Sequence, residues 1–353
     1  MADTVVDPRP DRGGPAQPLV IAKSLKRHFT ISKGLFGMKA SAVRAVDDVS
    51  FTVEKGETLG IVGESGCGKS TTARILVGLT PIDSGDLIFD GEQLGGDLTL
   101  KDLWAGVQMV FQDSYASLNP RLTIEDTIAF GPRMRGTSTD DARALAHELL
   151  TRVGLAPERF AGRYPHELSG GQRQRVNIAR SLAIRPRLVI LDEAVSALDK
   201  SVEAQVLNLL TDLKAEFGLT YVFISHDLNV VRYISDRIMV MYLGEVVEIG
   251  PVEKIWQRRA HPYTAALFAA MPSMDPDDRT EVPPLAGDPP NPIDPPSGCR
   301  FHTRCAFAEP MCGTARPTAM PVAGDADHMA ACHMLDPASG HSRAAARIAE
   351  LAA

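Results

Sequence analysis

The sequence has no excess of positive charge, no long apolar run and little cysteine, and each shortage removes a class of function. Lys and Arg number 37 against 44 Asp and Glu in 353 residues, a formal net charge of −7. A general nucleic-acid binder would carry the basic footprint that is missing here. No apolar stretch approaches the roughly 18 residues of a membrane span; Tyr263 to Met271, among the longest, falls far short. The N-terminus (MADTVVDPRPDRGG) is polar and lacks the apolar core of a secretory signal. The expectation is a cytoplasmic chain whose membrane contact is peripheral and whose partners include no nucleic acid. Five cysteines are few for a disulfide framework, which a reducing cytoplasm disfavours in any case, yet four of them fall between 299 and 332.

What is present divides the chain. Residues 1–18 hold four Pro and three Asp and read as a disordered tail. From 19 to about 255 the pattern is α/β. The apolar runs LGIVG (59–63), RLVILD (187–192) and TYVFIS (220–225) predict buried parallel strands. Between them, Ser201 to Phe217 predicts an amphipathic helix with Val202, Val206, Leu209, Leu210 and Leu213 on one face, and Asp199 or Ser201 at its start. RIMVMYLGEVVEIG (237–250) predicts two strands turning near Gly244. Nine Pro between Met271 and Pro296 exclude a helix there. Residues 256–335 are expected to form an irregular Cys-containing extension, and 336–353 a flexible tail whose Ala-rich end, from Ser342, is a loose helix.

Two motifs carry chemistry. Gly63, Glu64, Ser65, Gly66, Cys67, Gly68, Lys69 and Ser70 fit G-x-x-x-x-G-K-[ST], with an apolar strand before and a helical run from Ser70 through Thr71 to Leu79 after. Glycines let backbone N–H groups close on phosphates, Lys69 adds a charge, and Ser70 offers a hydroxyl to Mg²⁺. Cys67 reads as a small residue that fits rather than as a redox switch. The run RLVILDE ends in two carboxylates: Asp192 is placed to hold Mg²⁺ and Glu193 to polarise an attacking water.

Between these motifs stands Leu168-Ser-Gly-Gly-Gln172. With it, the chain resembles the nucleotide-binding subunit of an ATP-binding cassette transporter: a P-loop NTPase with a mixed-sheet core and a helical signature subdomain. The resemblance implies that Ser169, Gly170, Gly171 and Gln172 contact ATP held by a partner cassette. It implies further that Gln112 reaches Mg²⁺ and the water, that His226 contacts the γ-phosphate, and that Asp199 lies in the loop crossing the dimer interface. Phe29, with His28 as the alternative, is the expected adenine-stacking residue, with an insertion at 31–44 downstream. Ala194-Val195 stand where the family commonly has Pro-Thr, which leaves the hydrolytic groups untouched.

DSYASLNPR (113–121), GLFG (34–37) and HPYTAALFAAMP (261–272) resemble the peptide-importer branch. That resemblance implies a paralogous second ATPase subunit, two permease subunits and an extracytoplasmic binding protein. It places the chain on the cytoplasmic face of the membrane, powering import of di- or oligopeptides. Nickel import is the alternative cargo, and a soluble cassette ATPase of DNA repair or translation the alternative class. The branch's extension also resembles regions where four cysteines hold a [4Fe–4S] cluster. Here Cys299, Cys305, Cys312 and Cys332 would be the ligands, with His302, His328 and His333 nearby. Zinc, whose sites favour tighter C-x₂₋₄-C pairs, and plain reduced thiols stay open beside it.

Overall fold

The computed structural model describes Gly14, residues 17–31, 41–271 and 287–352. Most of the expected N-terminal tail, most of the 31–44 insertion with its GLFG, and much of the Pro-rich segment lie outside the described residues.

In chain order the elements begin with β1 (Val20–Ile31), β2 (Ser41–Val53) and β3 (Thr58–Val62), then α1 (Lys69–Leu76), β4 (Ser84–Phe89), β5 (Glu92–Gln93), α2 (Leu100–Gly106) and β6 (Val107–Val110). A helical block follows: α3 (Ile124–Met134), α4 (Thr139–Arg152), α5 (Pro157–Phe160) and α6 (Gly170–Leu182). The chain then returns through β7 (Leu188–Asp192), α7 (Lys200–Phe217), β8 (Thr220–Ile224), α8 (Leu228–Ile234), β9 (Arg237–Tyr242) and β10 (Glu245–Pro251). The extension contributes α9 (Val252–Gln257), α10 (Pro262–Ala269), β11 (Ala319–Val322), β12 (Asp325–Ala331) and α11 (Ala344–Ala352).

Among the described residues there are two sheets. An antiparallel one runs β2-β1-β4-β5, and a mixed one runs β11-β12-β10-β9-β3-β8-β7-β6. The five strands β9, β3, β8, β7 and β6 are parallel to one another. Strands β3, β7 and β8 are buried at every position, which explains why their sequences are unbroken apolar runs rather than alternating ones. Parallel strands have a common direction, so their carboxyl ends and the loops that follow open on one edge.

α7 begins and ends as expected, but its buried face is rotated slightly. Val206, Leu207, Leu210 and Leu213 are buried with Glu203, while Val202 and Leu209 are half-buried. Asp199 precedes the first turn without a side-chain cap bond. The α1 helix is shorter than the run to Leu79, ending at Leu76 before Gly78.

The extension is less irregular than its composition suggests. β12 pairs antiparallel with β10 (Glu248 opposite Ala330, Ile249 opposite Met329), so it continues the cassette's sheet. The stretch expected as a flexible C-terminal tail holds a helix, α11. α11 carries Ala344 and Leu351 buried, and Leu351 packs in one cluster with Ala260, Val322, Ala330 and Met334. Its Ala-rich pattern conceals that burial, because Ala supports a helix whether or not it packs. Among the described residues no helix is long and apolar enough to cross a membrane.

Candidate nucleotide site

The loop from Gly63 to Gly68 leaves the carboxyl end of β3 and enters α1. Gly63 and Gly68 adopt positive φ values of 148° and 110°, and a Cβ on either would lie 2.2 Å from a backbone oxygen, that of Met241 or of Ala45. Both positions therefore require glycine. Lys69, buried, donates to the carbonyls of Gly63 (2.7 Å) and Glu64 (3.0 Å), so its ammonium lies across the mouth of the loop. Burial pushes the Cys67 thiol up. Cys67 itself is buried, at 3% exposed.

The next two strand ends bring the carboxylates. Ser70 Oγ donates to Asp192 Oδ1 at 3.0 Å. Burial raises the Asp192 carboxyl above the usual range, and the Ser70 hydrogen bond works against that rise. These are hard oxygen donors of the kind Mg²⁺ prefers. Glu193 stands one residue beyond β7 at φ 48°, a left-handed conformation rare for a residue with a Cβ. Its N–H donates to Ile224 O (2.9 Å), which ties it to the end of β8. Its Oε2 accepts from Gln112 Nε2 at 2.7 Å, and its Oε1 lies 3.8 Å from His226 Nδ1. Four strand ends, those of β3, β6, β7 and β8, thus deliver Lys69, Gln112, Asp192–Glu193 and His226 to one place.

All of these but Asp192, which lies behind Ser70, border a cleft of about 440 Å³ lined by Ala45, Ser65, Gly66, Gly68, Lys69, Ser70, Thr71, Gln112, Glu193 and His226. Ala45 was not a sequence candidate. It lies on β2, and no charge or periodicity marks it. The signature residues do not line this cleft. Ser169 caps α6 through a reciprocal pair in which Gln172 N–H donates to Ser169 Oγ and Ser169 N–H to Gln172 Oε1. Gly170 and Gly171 open that helix, and a Cβ on Gly171 would meet Val202 of α7 at 2.5 Å. Phe29 also lies outside the cleft lining. It is 38% exposed on β1, with the Arg27 guanidinium 4.7 Å from its ring centroid, while His28 hydrogen-bonds Asp47 at 3.1 Å.

The segment after Gln112 is anchored to the signature helix. Asp113 Oδ1 accepts from the Tyr115 and Ala116 N–H groups, Ser117 Oγ donates to Asn177 Oδ1 (2.9 Å), and Asn177 Nδ2 donates to Ser114 O (3.0 Å). Asn177 is fully buried. The segment after Gln112 is therefore tied to α6 by hydrogen bonds.

The four clustered cysteines are all unpaired and line one small apolar cavity with His302, His333 and Phe301. Burial pushes the Cys299 thiol up to about 11 and Cys332 up to about 12. Among the described residues, no three His, Cys, Asp or Glu form a group that could hold a metal ion. The iron–sulfur and zinc expectations accordingly gain no support from the geometry. His328 is engaged elsewhere, at 2.7 Å from buried Glu248.

The profile of the ABC transporter family matches residues 46–196, and that of the oligopeptide/dipeptide transporter C-terminal region matches 247–312. A probable peptide ABC transporter ATP-binding protein of Sinorhizobium fredii is 48% identical over 95% of this chain and 95% of its own. The oligopeptide transport ATP-binding protein AppF of Bacillus subtilis is 48% identical over 88% and 96%. Among solved structures, a dimeric ATP-binding cassette in a post-hydrolysis state, bound to ADP and Pi, aligns with a TM-score of 0.58 at 31% identity. That alignment covers 66% of this chain and 98% of that one.

Proposed function

The chain belongs to the ATP-binding cassette transporter family and is an ATPase subunit of its oligopeptide/dipeptide branch; from that premise we propose how its residues divide the work and with what they assemble. The Gly63–Thr71 loop binds the phosphates of ATP, with Lys69 offsetting their charge. Ser70, Asp192 and Gln112 would hold Mg²⁺, whose charge offsets that developing on the transferred phosphoryl group. Glu193 accepts the proton of the attacking water, Gln112 orients that carboxylate, and His226 steadies the γ-phosphate. The observation that carries this reading is the Gln112–Glu193–His226 contact beside the Ser70–Asp192 pair, all at one edge of the sheet.

Ser169 to Gln172 stand apart from the cleft of their own chain, which supports head-to-tail pairing with a second cassette, each loop facing the other's signature residues. Closure of that pair would move the Gln112 loop, and through it two permease subunits that accept peptides from an extracytoplasmic binding protein. The chain then sits peripherally on the cytoplasmic face of the membrane. No observation favours the nickel reading or the DNA-repair and translation reading over this one.

The test is Glu193→Gln in the assembled transporter. The amide still accepts from Gln112 but cannot take a proton, so phosphate release is expected to fall by about 10²–10⁴ with ATP binding retained. Near-normal turnover would assign the base elsewhere.

The finer reading of the cysteine cavity is a four-thiolate iron–sulfur site. The four cysteines line one cavity, but among the described residues they form no group that could hold a metal ion. No step of turnover runs through it. Iron and acid-labile sulfide in anaerobically purified protein would carry that reading, and a colourless, iron-free sample removes it.

A further inference from the structure

The second residue of the phosphate loop is held from outside the cassette. Arg304 Nη1 donates to Glu64 Oε2 at 2.8 Å and Nη2 to Glu64 Oε1 at 3.0 Å, a two-pronged pair in which the Arg304 side chain is 6% exposed. Glu64 N–H donates to Tyr263 Oη at 2.9 Å, and Glu64 O accepts from Lys69. Tyr263 belongs to α10 and Arg304 to the turn between Cys299 and Cys305, so both come from the extension. Arg304 also reaches Tyr242 Oη (3.3 Å), and Phe301 packs edge-on against Tyr242 and Tyr263 with centroids 5.4 Å apart in each case.

We propose that Arg304 is a positioning residue for the phosphate loop, and that through it the C-terminal extension sets nucleotide affinity. The proposal rests on the reading of Gly63–Thr71 as the nucleotide site. Its physical content is twofold. A carboxylate one residue into a loop that gathers phosphates repels them unless a counter-charge stands by. A planar guanidinium fixes that carboxylate in direction as well as in charge, which an ammonium on a flexible stem does not. Tyr263 holds the backbone N–H of the same residue, so Glu64 is pinned at main chain and side chain from one direction.

Calorimetric titration of the full chain with Mg·ADP tests this, with thermal midpoints recorded alongside. Arg304→Ala is expected to weaken binding by about tenfold. Glu64→Gln, which removes the charge that Arg304 offsets, is expected to weaken it less. In the double variant, Glu64→Gln should recover most of the affinity that Arg304→Ala loses, a rescue that a general packing role would not give. Arg304→Lys should fall between wild type and Arg304→Ala. Should Arg304→Ala fail to fold, Arg304→Lys with and without Glu64→Gln carries the same comparison. Unchanged affinity in the Arg304 variants, or an equal loss in both Glu64 backgrounds, overturns the proposal. Lys69→Ala separates the two levels of inference: if it still binds Mg·ADP normally, the nucleotide site itself has been misplaced.

Discussion

Glu248 offers a test of what joins the extension to the cassette. It lies on β10, 1% exposed, and its carboxylate accepts from Ala260 N–H (2.9 Å), His261 N–H (2.9 Å) and His328 Nε2 (2.7 Å). Ala260 and His261 lead into α10, and His328 lies on β12, so one side chain gathers three elements. Glu248→Ala leaves three buried donors without acceptors. Each unsatisfied donor costs about 1–3 kcal/mol, and members of one network do not add fully, so the expected loss is about 3–6 kcal/mol. Total stabilities are typically about 5–15 kcal/mol, so this is a large share. Glu248→Gln keeps the shape and one acceptor oxygen and should lose about 1–3 kcal/mol. Urea unfolding of the full chain followed by circular dichroism measures both. A Glu248→Ala midpoint and slope equivalent to a loss below about 1 kcal/mol would refute the reasoning, since three donors sealed from water could not lose their acceptor so cheaply.

Gly68→Ala should abolish Mg·ADP binding in calorimetry, because its Cβ would press on Ala45 O; Gly66→Ala carries the strain of a φ of 79° but meets nothing within 4 Å, so it should weaken binding and still keep measurable affinity; equal behaviour of the two would refute the steric argument. Burial lowers His261 to about 4 from an ordinary 6.5, and its Nδ1 accepts from Tyr263 N–H at 3.0 Å, so the fold holds it neutral. The unfolded chain takes up that proton first, so this stability is present above pH 6.5 and is lost as pH falls toward 4, by about 3 kcal/mol in all. His261→Asn, which keeps an acceptor but does not titrate, should flatten that acid limb in urea melts at several pH values; an unchanged limb would assign it to other groups.

The parts of the site legible in the sequence are those where chemistry dictates local spacing. Lys69 and Ser70 must follow a glycine loop, and Asp192 and Glu193 must end a strand buried on both faces, so an apolar run closing in two carboxylates is informative by itself. Gln112 and His226 have no such local grammar. They became candidates only by order relative to the other motifs, and the geometry brings both to Glu193. Ala45 and Arg304 were not legible at all. Arg304 meets a residue 240 positions away, and no periodicity encodes a pairing across that distance. In the extension, β11 and β12 lie beyond the Pro-rich segment, and a strand as short as β11 needs only a partner edge, which sequence composition does not reveal.

That shared edge has a practical corollary. β10 lies between β9 and β12, so the ladder crosses the boundary at which the chain changes composition. An engineer exchanging extensions among relatives would be tearing a seam rather than untying a tether. A chimera joined just after β10 would bare a row of amide and carbonyl groups, inviting strand addition and aggregation unless the graft brought its own matching border.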